Sequence, residues 1–333
     1  MTAGQPAALA SGNIGDAMTQ AQPDAIAITQ TDSGTGVTYA ELRERIIHAQ
    51  AKLRDRGIKR GDHVAIIGLN SIEWLVAFYA IMRSGAVVVP VSHKFPDSVL
   101  AYVLENSEAK LVLVDDLGRM GDVGAAVMLL DELAGESADA TDVGAVEVQP
   151  TDPAMVLYTS GSTGKPKGVV RSHGSHAWIM EQGERANDGQ IRTIMVAAPL
   201  YHMNGLVTVQ GALLHGDHVV LQPAFEARSF LRAIDDHLVT RTTGVPPMMA
   251  LALRERDLLA ELDLGSVTEH LFGSAPLTDG LIDDIEAAFP NAKLSISYGT
   301  TETGPVAFAP HPDGRPTPKN SVEIGRASCR ERV

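Results

Sequence analysis

The chain has 333 residues, 44% of them hydrophobic and 20% charged, which supplies material for two cores and excludes a disordered chain. Its 41 acidic residues against 27 basic ones give a net charge of −14, which excludes a broad basic footprint for nucleic acid or anionic membrane, so any polyanion must meet a local basic spot. The start, MTAGQPAALASGNIGDAM, lacks the positive end and apolar stretch of a signal peptide, so a cytoplasmic protein is expected.

The longest apolar segment, residues 74–82, is a core helix, far short of the roughly 20 residues of a membrane span. A single cysteine, Cys329, excludes an internal disulfide and a thiolate metal cluster. In chain order, Thr38 and Glu41 have capping-box spacing ahead of Leu42, Ile46, Ala49 and Leu53 at helical intervals, and Gly57 supplies a stop. Residues 63–69 read as a strand, Asn70 with Glu73 as the opening of a second helix that ends near Gly85, and the valine-rich 86–91 as the next strand. Residues 96–109 and 111–114 repeat the unit. Such alternation predicts a mostly parallel sheet covered by helices.

Between 121 and 164 there is no lysine or arginine, and the stretch is acidic, rich in small residues and ends in prolines. It reads as a surface connection, starting near 116, between two subdomains at 1–150 and 151–326. Residues 155–158 and 168–170 read as short buried strands, and further strands are expected at 194–198, 217–222, 240–245, 270–273 and 293–297. The fold class is α/β, with two stacked, mostly parallel subdomains. Ligands of such sheets sit beyond the carboxyl ends of the strands, where the sequence puts PLYHMNG, GVPPMM, FGSAPL and YGTTETG.

The segment VLYTSGSTGKPKGVV, 156–170, is the most distinctive. Gly161, Gly164 and Gly168 let the backbone turn and expose N–H groups, Thr159, Ser160, Ser162 and Thr163 add hydroxyls, and Lys165 and Lys167 add positive charge. Phosphate oxygens suit that surface. A Walker loop is excluded, because Lys165 is followed by Pro166 and then by a strand, and no G-x-S-x-G, H-E-x-x-H or G-x-G-x-x-G occurs.

With these motifs the chain resembles the adenylate-forming enzymes, which include acyl-CoA synthetases, firefly luciferase and nonribosomal-peptide adenylation domains. YTSGSTGKPKGV is similar to their phosphate-loop signature, YGTTE at 298–302 to a second signature, GSAPL at 273–277 to their adenine-side segment, and PLYHMNG at 199–205 to a third. The likeness runs in family order from about residue 38 to 326. It implies the fold of their large N-terminal domain, with ATP, Mg²⁺ and CoA as reaction partners of a carboxylic acid. Residues Thr159 to Lys167 would hold the β- and γ-phosphates, Thr301 the α-phosphate and Glu302 the metal. Gly273, Ser274, Ala275, Tyr298, Gly299 and Thr300 would surround the nucleotide, and His202 would stand beside the acyl carboxylate and the thiol path. An acid with a pKa near that of Glu, about 4.3, is already ionised at neutral pH, so its activation needs alignment and charge neutralisation. A thiol near 8.5 is mostly protonated, and a neighbouring base helps it.

The resemblance also bears on the acid. Amino-acid-activating members carry Phe-Asp where this chain has Tyr201 and His202, so no carboxylate is present for a substrate ammonium. Acetate-specific members block the pocket with tryptophan at the position of Gly299. An acid longer than acetate is expected, walled by Tyr201, His202, Val245, Met248, Gly273 and Gly299, as in fatty acid metabolism. His173 and His176 read as helix-surface residues. Two other readings stay open here: a nucleotide-binding member without turnover, opposed by intact Lys167, Thr301 and Glu302, and a hydrolase, opposed by the lack of a serine elbow. The family's ribose-binding aspartate, hinge and C-terminal lid with its lysine are not among these residues, so this stretch expressed alone is expected to form little adenylate. The ending IGRASCRERV reads as translated sequencing adapter, and residues 327–333 are set aside from the fold.

Overall fold

The computed structural model describes residues 12–18, 22–119, 124–135, 141–159, 164–184 and 190–304, with short strands at 308–309 and 324–325. In chain order the elements are β1 (Ile26–Gln30), β2 (Gly36–Thr38), α1 (Tyr39–Asp55), β3 (His63–Ile67), α2 (Ile72–Arg83), β4 (Val87–Val91), α3 (Asp97–Asn106), β5 (Leu111–Val114), β6 (Ala126–Leu129), α4 (Leu130–Ala134), β7 (Pro153–Thr159), β8 (Lys167–Ser172) and α5 (His173–Glu184). They continue with β9 (Thr193–Val196), α6 (Met203–His215), β10 (His218–Leu221), α7 (Ala227–Asp236), β11 (Arg241–Gly244), α8 (Pro246–Ala252), α9 (Arg256–Glu261), β12 (Glu269–Phe272), α10 (Asp279–Ala288) and β13 (Lys293–Ile296), then β14 (Phe308–Ala309) paired with β15 (Ile324–Gly325).

Two large sheets result, a seven-stranded one in the order β13-β12-β11-β9-β10-β1-β2 and a six-stranded one in the order β6-β5-β3-β4-β7-β8. All neighbours are parallel except the two hairpins, β1–β2 and β7–β8. Side chains alternate across each strand, so both faces need cover. In β5, Leu111 and Leu113 enter the core between the sheets while Val112 and Val114 enter the outer core under α3. In β10, Val219 and Leu221 enter that same central core, and Val220 faces α7, α8, α9 and α10 on the far side. Helix α2 lies in the central layer with every residue from Ile72 to Arg83 except Glu73 buried, which is why it is apolar on nearly every side. Each large side chain buried there contributes about 1.5–3 kcal/mol.

The capping box of α1 is present as expected, with the Thr38 hydroxyl accepting from Glu41 N–H and the Glu41 carboxylate accepting from Thr38 N–H at 2.7 Å. Four expectations need correction. A boundary near 150 does not divide the sheets: β1 and β2 join the seven-stranded sheet, while β7 and β8 extend the six-stranded one. Pairing partners such as Ile28 and Val219 are far apart in sequence, and local pattern carries no record of them. The cap of α2 is Ser71, which accepts from Trp74 N–H; Asn70 is instead 3% exposed and bridges the two sheets. Its amide donates to the carbonyls of Ala198 and Gln222, and its Oδ1 accepts from Leu200 N–H at 2.8 Å.

The acidic connection is more than surface. It carries β6 and α4, and Asp142 is held by Arg83, a guanidinium only 2% exposed that also binds Asp16 and Gln50. Lastly, β8 is an edge strand and largely exposed, Val170 at 60%. Residues 327–333 lie outside the described residues.

Candidate active site

Strands β7 and β8 pair from Pro153 with Ser172 up to Thr159 with Lys167, so these last two face each other where the hairpin opens into the lysine-bearing loop. Gly168 is required there by space, since a Cβ would stand 2.8 Å from Val156 Cγ1. Gly164 is required by conformation, with φ at +87°. Lys165 Nζ stands 4.9 Å from the centre of the Tyr102 ring, and Lys167 is exposed. Ser160, Gly161, Ser162 and Thr163 lie outside the described residues.

Beyond the carboxyl ends of β9, β11 and β12 opens a cavity of about 890 Å³. Tyr201, His202, Val245, Met248, Gly273, Ser274, Gly299, Thr300 and Thr301 all line it, which brings residues from three separate signature segments to one cavity. Ala275, Tyr298 and Glu302 are exposed, next in sequence to lining residues. The first turn of α6 presses against the end of β9: a Cβ at Gly205 would lie 2.6 Å from the Ala198 carbonyl oxygen. Asn70, bonded to Ala198 and Leu200, fixes the same turn from behind.

His202, at the N-cap of α6, is exposed at the cavity wall. Partial desolvation, with the Lys94 ammonium as the lesser cause, holds its imidazole below the usual range, in the neutral form at pH 7. Tyr201 packs beside it at 4.6 Å between ring centres. Ser274 sits at φ +68°, a left-handed conformation sparsely used by residues other than glycine. Asn204 also lines the cavity and accepts a hydrogen bond from the Thr243 hydroxyl at 2.8 Å. Its amide is the neighbour that a Cβ at Gly273 would approach to 3.4 Å. Sequence reasoning assigned Asn204 no part, although it is the polar residue of PLYHMNG after the histidine.

The turn carrying Thr301 and Glu302 is closed by a bridge between Thr300 and Gly304 and by reciprocal Thr300–Thr303 bonds. The Glu302 carboxyl is held below the usual range by a backbone hydrogen bond first and by the Thr300 hydroxyl second. An ionised, exposed carboxylate fits Mg²⁺, which is commonly held by one or two carboxylates plus substrate phosphates. Among the described residues no cluster of three or more metal-ligating side chains forms, and that mode of binding does not require one.

Arg171 on β8, 5% exposed, donates through Nη1 to the Glu302 carbonyl at 2.5 Å. Gly304 closes the same contact: its φ is +80°, and a Cβ would meet Ile179 Cδ1 at 2.5 Å. The strand that leaves the lysine-bearing loop therefore also holds the carboxylate turn. Sequence reasoning did not single out Arg171; the signal was an arginine directly after the two valines of β8.

His173 and His176 are not surface residues. Both are fully buried where α5 packs against α6 and the segment at Ile14, and burial lowers each pKa to about 4. His173 Nδ1 accepts from Ile14 N–H, and His176 pairs with Gln210. Helix α5 has a weak apolar stripe, so its depth could not be read from periodicity.

The sequence matches the AMP-binding enzyme family over residues 16–332. It is 34% identical over 282 residues to a feruloyl-CoA synthase of Amycolatopsis sp, covering 82% of this chain and 56% of that protein. It is 32% identical over 338 residues to 4-coumarate–CoA ligase 2 of Oryza sativa subsp. japonica, covering 91% and 59%. The chain thus spans little more than half the length of these relatives. The solved N-terminal domain of FACL13 from Mycobacterium tuberculosis superposes with a TM-score of 0.80 at 27% identity, over 87% of this chain and 76% of that one.

Proposed function

The chain belongs to the AMP-binding enzyme family, and we propose that its full-length protein is an acid–thiol ligase, which forms an acyl-adenylate from a carboxylic acid and ATP and passes the acyl group to CoA. The observation that carries this is the single cavity that His202, Gly273, Gly299 and Thr301 all line. In the first step a carboxylate oxygen of the acid bonds to the α-phosphorus, the bond to the bridging oxygen breaks, and pyrophosphate leaves. Thr301 would hold the α-phosphate; Thr159, Lys165 and Lys167, with the loop between them, would hold the outer phosphates, the charge assistance being worth about 1.5–3 kcal/mol per hydrogen bond. Mg²⁺, held by Glu302, would neutralise phosphate charge.

In the second step the CoA sulfur bonds to the acyl carbon, AMP departs, and the thiol proton must go to a base. His202, which lines the cavity and whose imidazole is held below its usual range by desolvation, would take it. The absence of a carboxylate at Tyr201 and His202 favours acids without an ammonium group. Ferulate and 4-coumarate, named for the two relatives, head the panel to be tried.

The test is pyrophosphate release by the full-length protein with ATP, Mg²⁺, CoA and that panel. Acid-dependent release and CoA thioester formation are expected. In Glu302→Gln, release should fall about 100-fold with little change in Tm, as loss of one transition-state charge partner predicts. ATP binding without release for any acid would leave a nucleotide-binding protein in place of a ligase.

A further inference from the structure

The cavity carries charge at both ends, and the two ends differ. At its far end, by the amino ends of β9, β10 and β11, it is lined by Arg192, Asp217 and Arg241. Asp217 accepts from Arg192 N–H at 2.8 Å, and Arg241 is paired through Nε and Nη2 with Glu269. Cations and carboxylates balance there. On the side of His202, at the carboxyl ends of the strands, the charged residue of the lining is Lys94. Asp217 is the one carboxylate among the described lining residues, so none accompanies that lysine.

Lys94 stands in the loop after β4, so the six-stranded sheet delivers it to His202, which the seven-stranded sheet carries. The loop is fixed. Lys94 N–H donates to Ser92 Oγ and Phe95 N–H to the Ser92 carbonyl, each at 3.2 Å. Ser92 and Phe95 line the cavity too, and the His93 ring meets the edge of the Tyr201 ring at 5.5 Å between centres. The Lys94 side chain is exposed, and among the described residues no hydrogen bond or ion pair engages its ammonium. After desolvation, that ammonium is the second cause that holds the His202 imidazole below its usual range.

The chemistry of the two steps decides which anion it meets. A carboxylic acid near pKa 4.3 is charged throughout neutral pH, whereas a thiol near 8.5 is mostly protonated. In the second step a fixed cation beside His202 opposes the proton that His202 would take. In the first step the acid brings the missing negative charge. A carboxylate gains nothing from the balanced far end, and at the other end it meets an unpaired cation on the side where His202 and Thr301 stand.

We propose that Lys94 receives the carboxylate of the acid and so orients it, with its apolar body inward and its charged end towards the α-phosphate. The inference rests on the acid-activation reading. Its test uses the full-length protein and two assays: pyrophosphate release with ferulic, 4-coumaric, hexanoic and dodecanoic acids, and thioester formation from the synthetic acyl-adenylate of the acid that releases most. Lys94→Met should raise the KM for that acid about tenfold, as loss of one charge-assisted hydrogen bond predicts, with the ATP KM and Tm unchanged. Thioester formation from the supplied adenylate, whose acyl carbonyl is uncharged, should match that of the unaltered protein. Lys94→Arg, which keeps the charge, should recover most of the loss. Added salt should raise the acid KM of the unaltered protein more than that of Lys94→Met, because an exposed pair is screened.

An acid KM that does not move in Lys94→Met, or that rises only in step with the ATP KM, would overturn the assignment. So would a loss confined to thioester formation from the adenylate, which would give the ammonium to the thiol. Each of these leaves acid activation standing. Release with none of the four acids would overturn both.

Discussion

Buried polar groups behave differently in two parts of the molecule. Between the sheets, Asn70 uses both ends of its amide, and Arg83 engages Gln50, Asp16 and Asp142. Near the cavity and its carboxylate turn, His215 Nε2 and Arg171 Nε are buried without partners. An unmet buried polar atom costs about 1–3 kcal/mol, so a chain keeps one where something else gains. His270 Nε2, unmet in the outer core beside Phe289, shows that an open atom alone does not make a site. The closed networks at Asn70 and Arg83 tie segments distant in sequence together, whereas His215 Nε2 and Arg171 Nε are left open.

The largest expected effect breaks the closed side. Arg83→Met removes the buried cation, leaving Asp16 and Asp142 only their longer pairs to Arg43 at 3.7 and 4.0 Å and Gln50 Oε1 without its donor, and loss of one member of a buried ionic network costs about 3–5 kcal/mol. Urea unfolding of the full-length protein should show that loss. A cost below about 1 kcal/mol, the value of an ordinary exposed pair, would make the network a bystander.

Next is a response to acid. His173 and His176 titrate near 4 when folded against 6.5 for a free imidazole, so the unfolded chain binds their protons first. Stability is fully present above pH 6.5 and is lost as pH falls from there towards 4, by about 2 kcal/mol per histidine between pH 7 and 5. Asp217, whose pKa burial raises, opposes this, because the folded state gains its proton more readily. His176→Gln should flatten the decline of Tm over that window. An equally steep decline in the variant would place the acid sensitivity elsewhere.

Asn70→Ala should cost about 2 kcal/mol, by leaving Leu200 N–H and two carbonyls unmet. Because those bonds fix the turn before His202, kcat for thioester formation should fall more than ATP affinity does. A uniform fall in both, scaling with lost stability, would reduce Asn70 to a structural brace.

What could be read in advance follows the same division. Strands such as β4 and β5 were legible because burial on both faces writes a continuous apolar run, and the capping box of α1 because it is local chemistry. The signature loops were legible at the strand ends, since glycine, hydroxyl and charge there have few structural uses. Partners distant in sequence were not legible: Ser71 and Asn70 are both competent caps, and only the carbonyls of Ala198 and Gln222 decide which one turns inward. The run Ala126–Leu129 was hidden by its acidic surroundings until pairing with β5 made it a strand. The far end of the cavity was hidden for the same reason, because Arg192, His215, Asp217 and Arg241 meet only when β9, β10 and β11 align beneath α6.

Arg171 sharpens the comparison, because it belongs to both sides. One of its nitrogens is committed to the Glu302 carbonyl while Nε has no partner, and desolvation lowers its pKa. If it is a positioning residue for the carboxylate turn, Arg171→Met should raise the Mg²⁺ concentration needed for half-maximal adenylation about tenfold, equivalent to about 1.4 kcal/mol. The acid KM should stay the same, because Tyr201, Val245 and Met248, proposed to wall the acid, belong to other segments. Arg171→Lys, which keeps one donor able to reach the carbonyl, should recover most of the loss, and added guanidinium should recover part of it in Arg171→Ala. A purely structural arginine predicts otherwise: Tm would fall in all three variants, the Mg²⁺ requirement would not move in the folded fraction, and guanidinium, a denaturant, would only make matters worse.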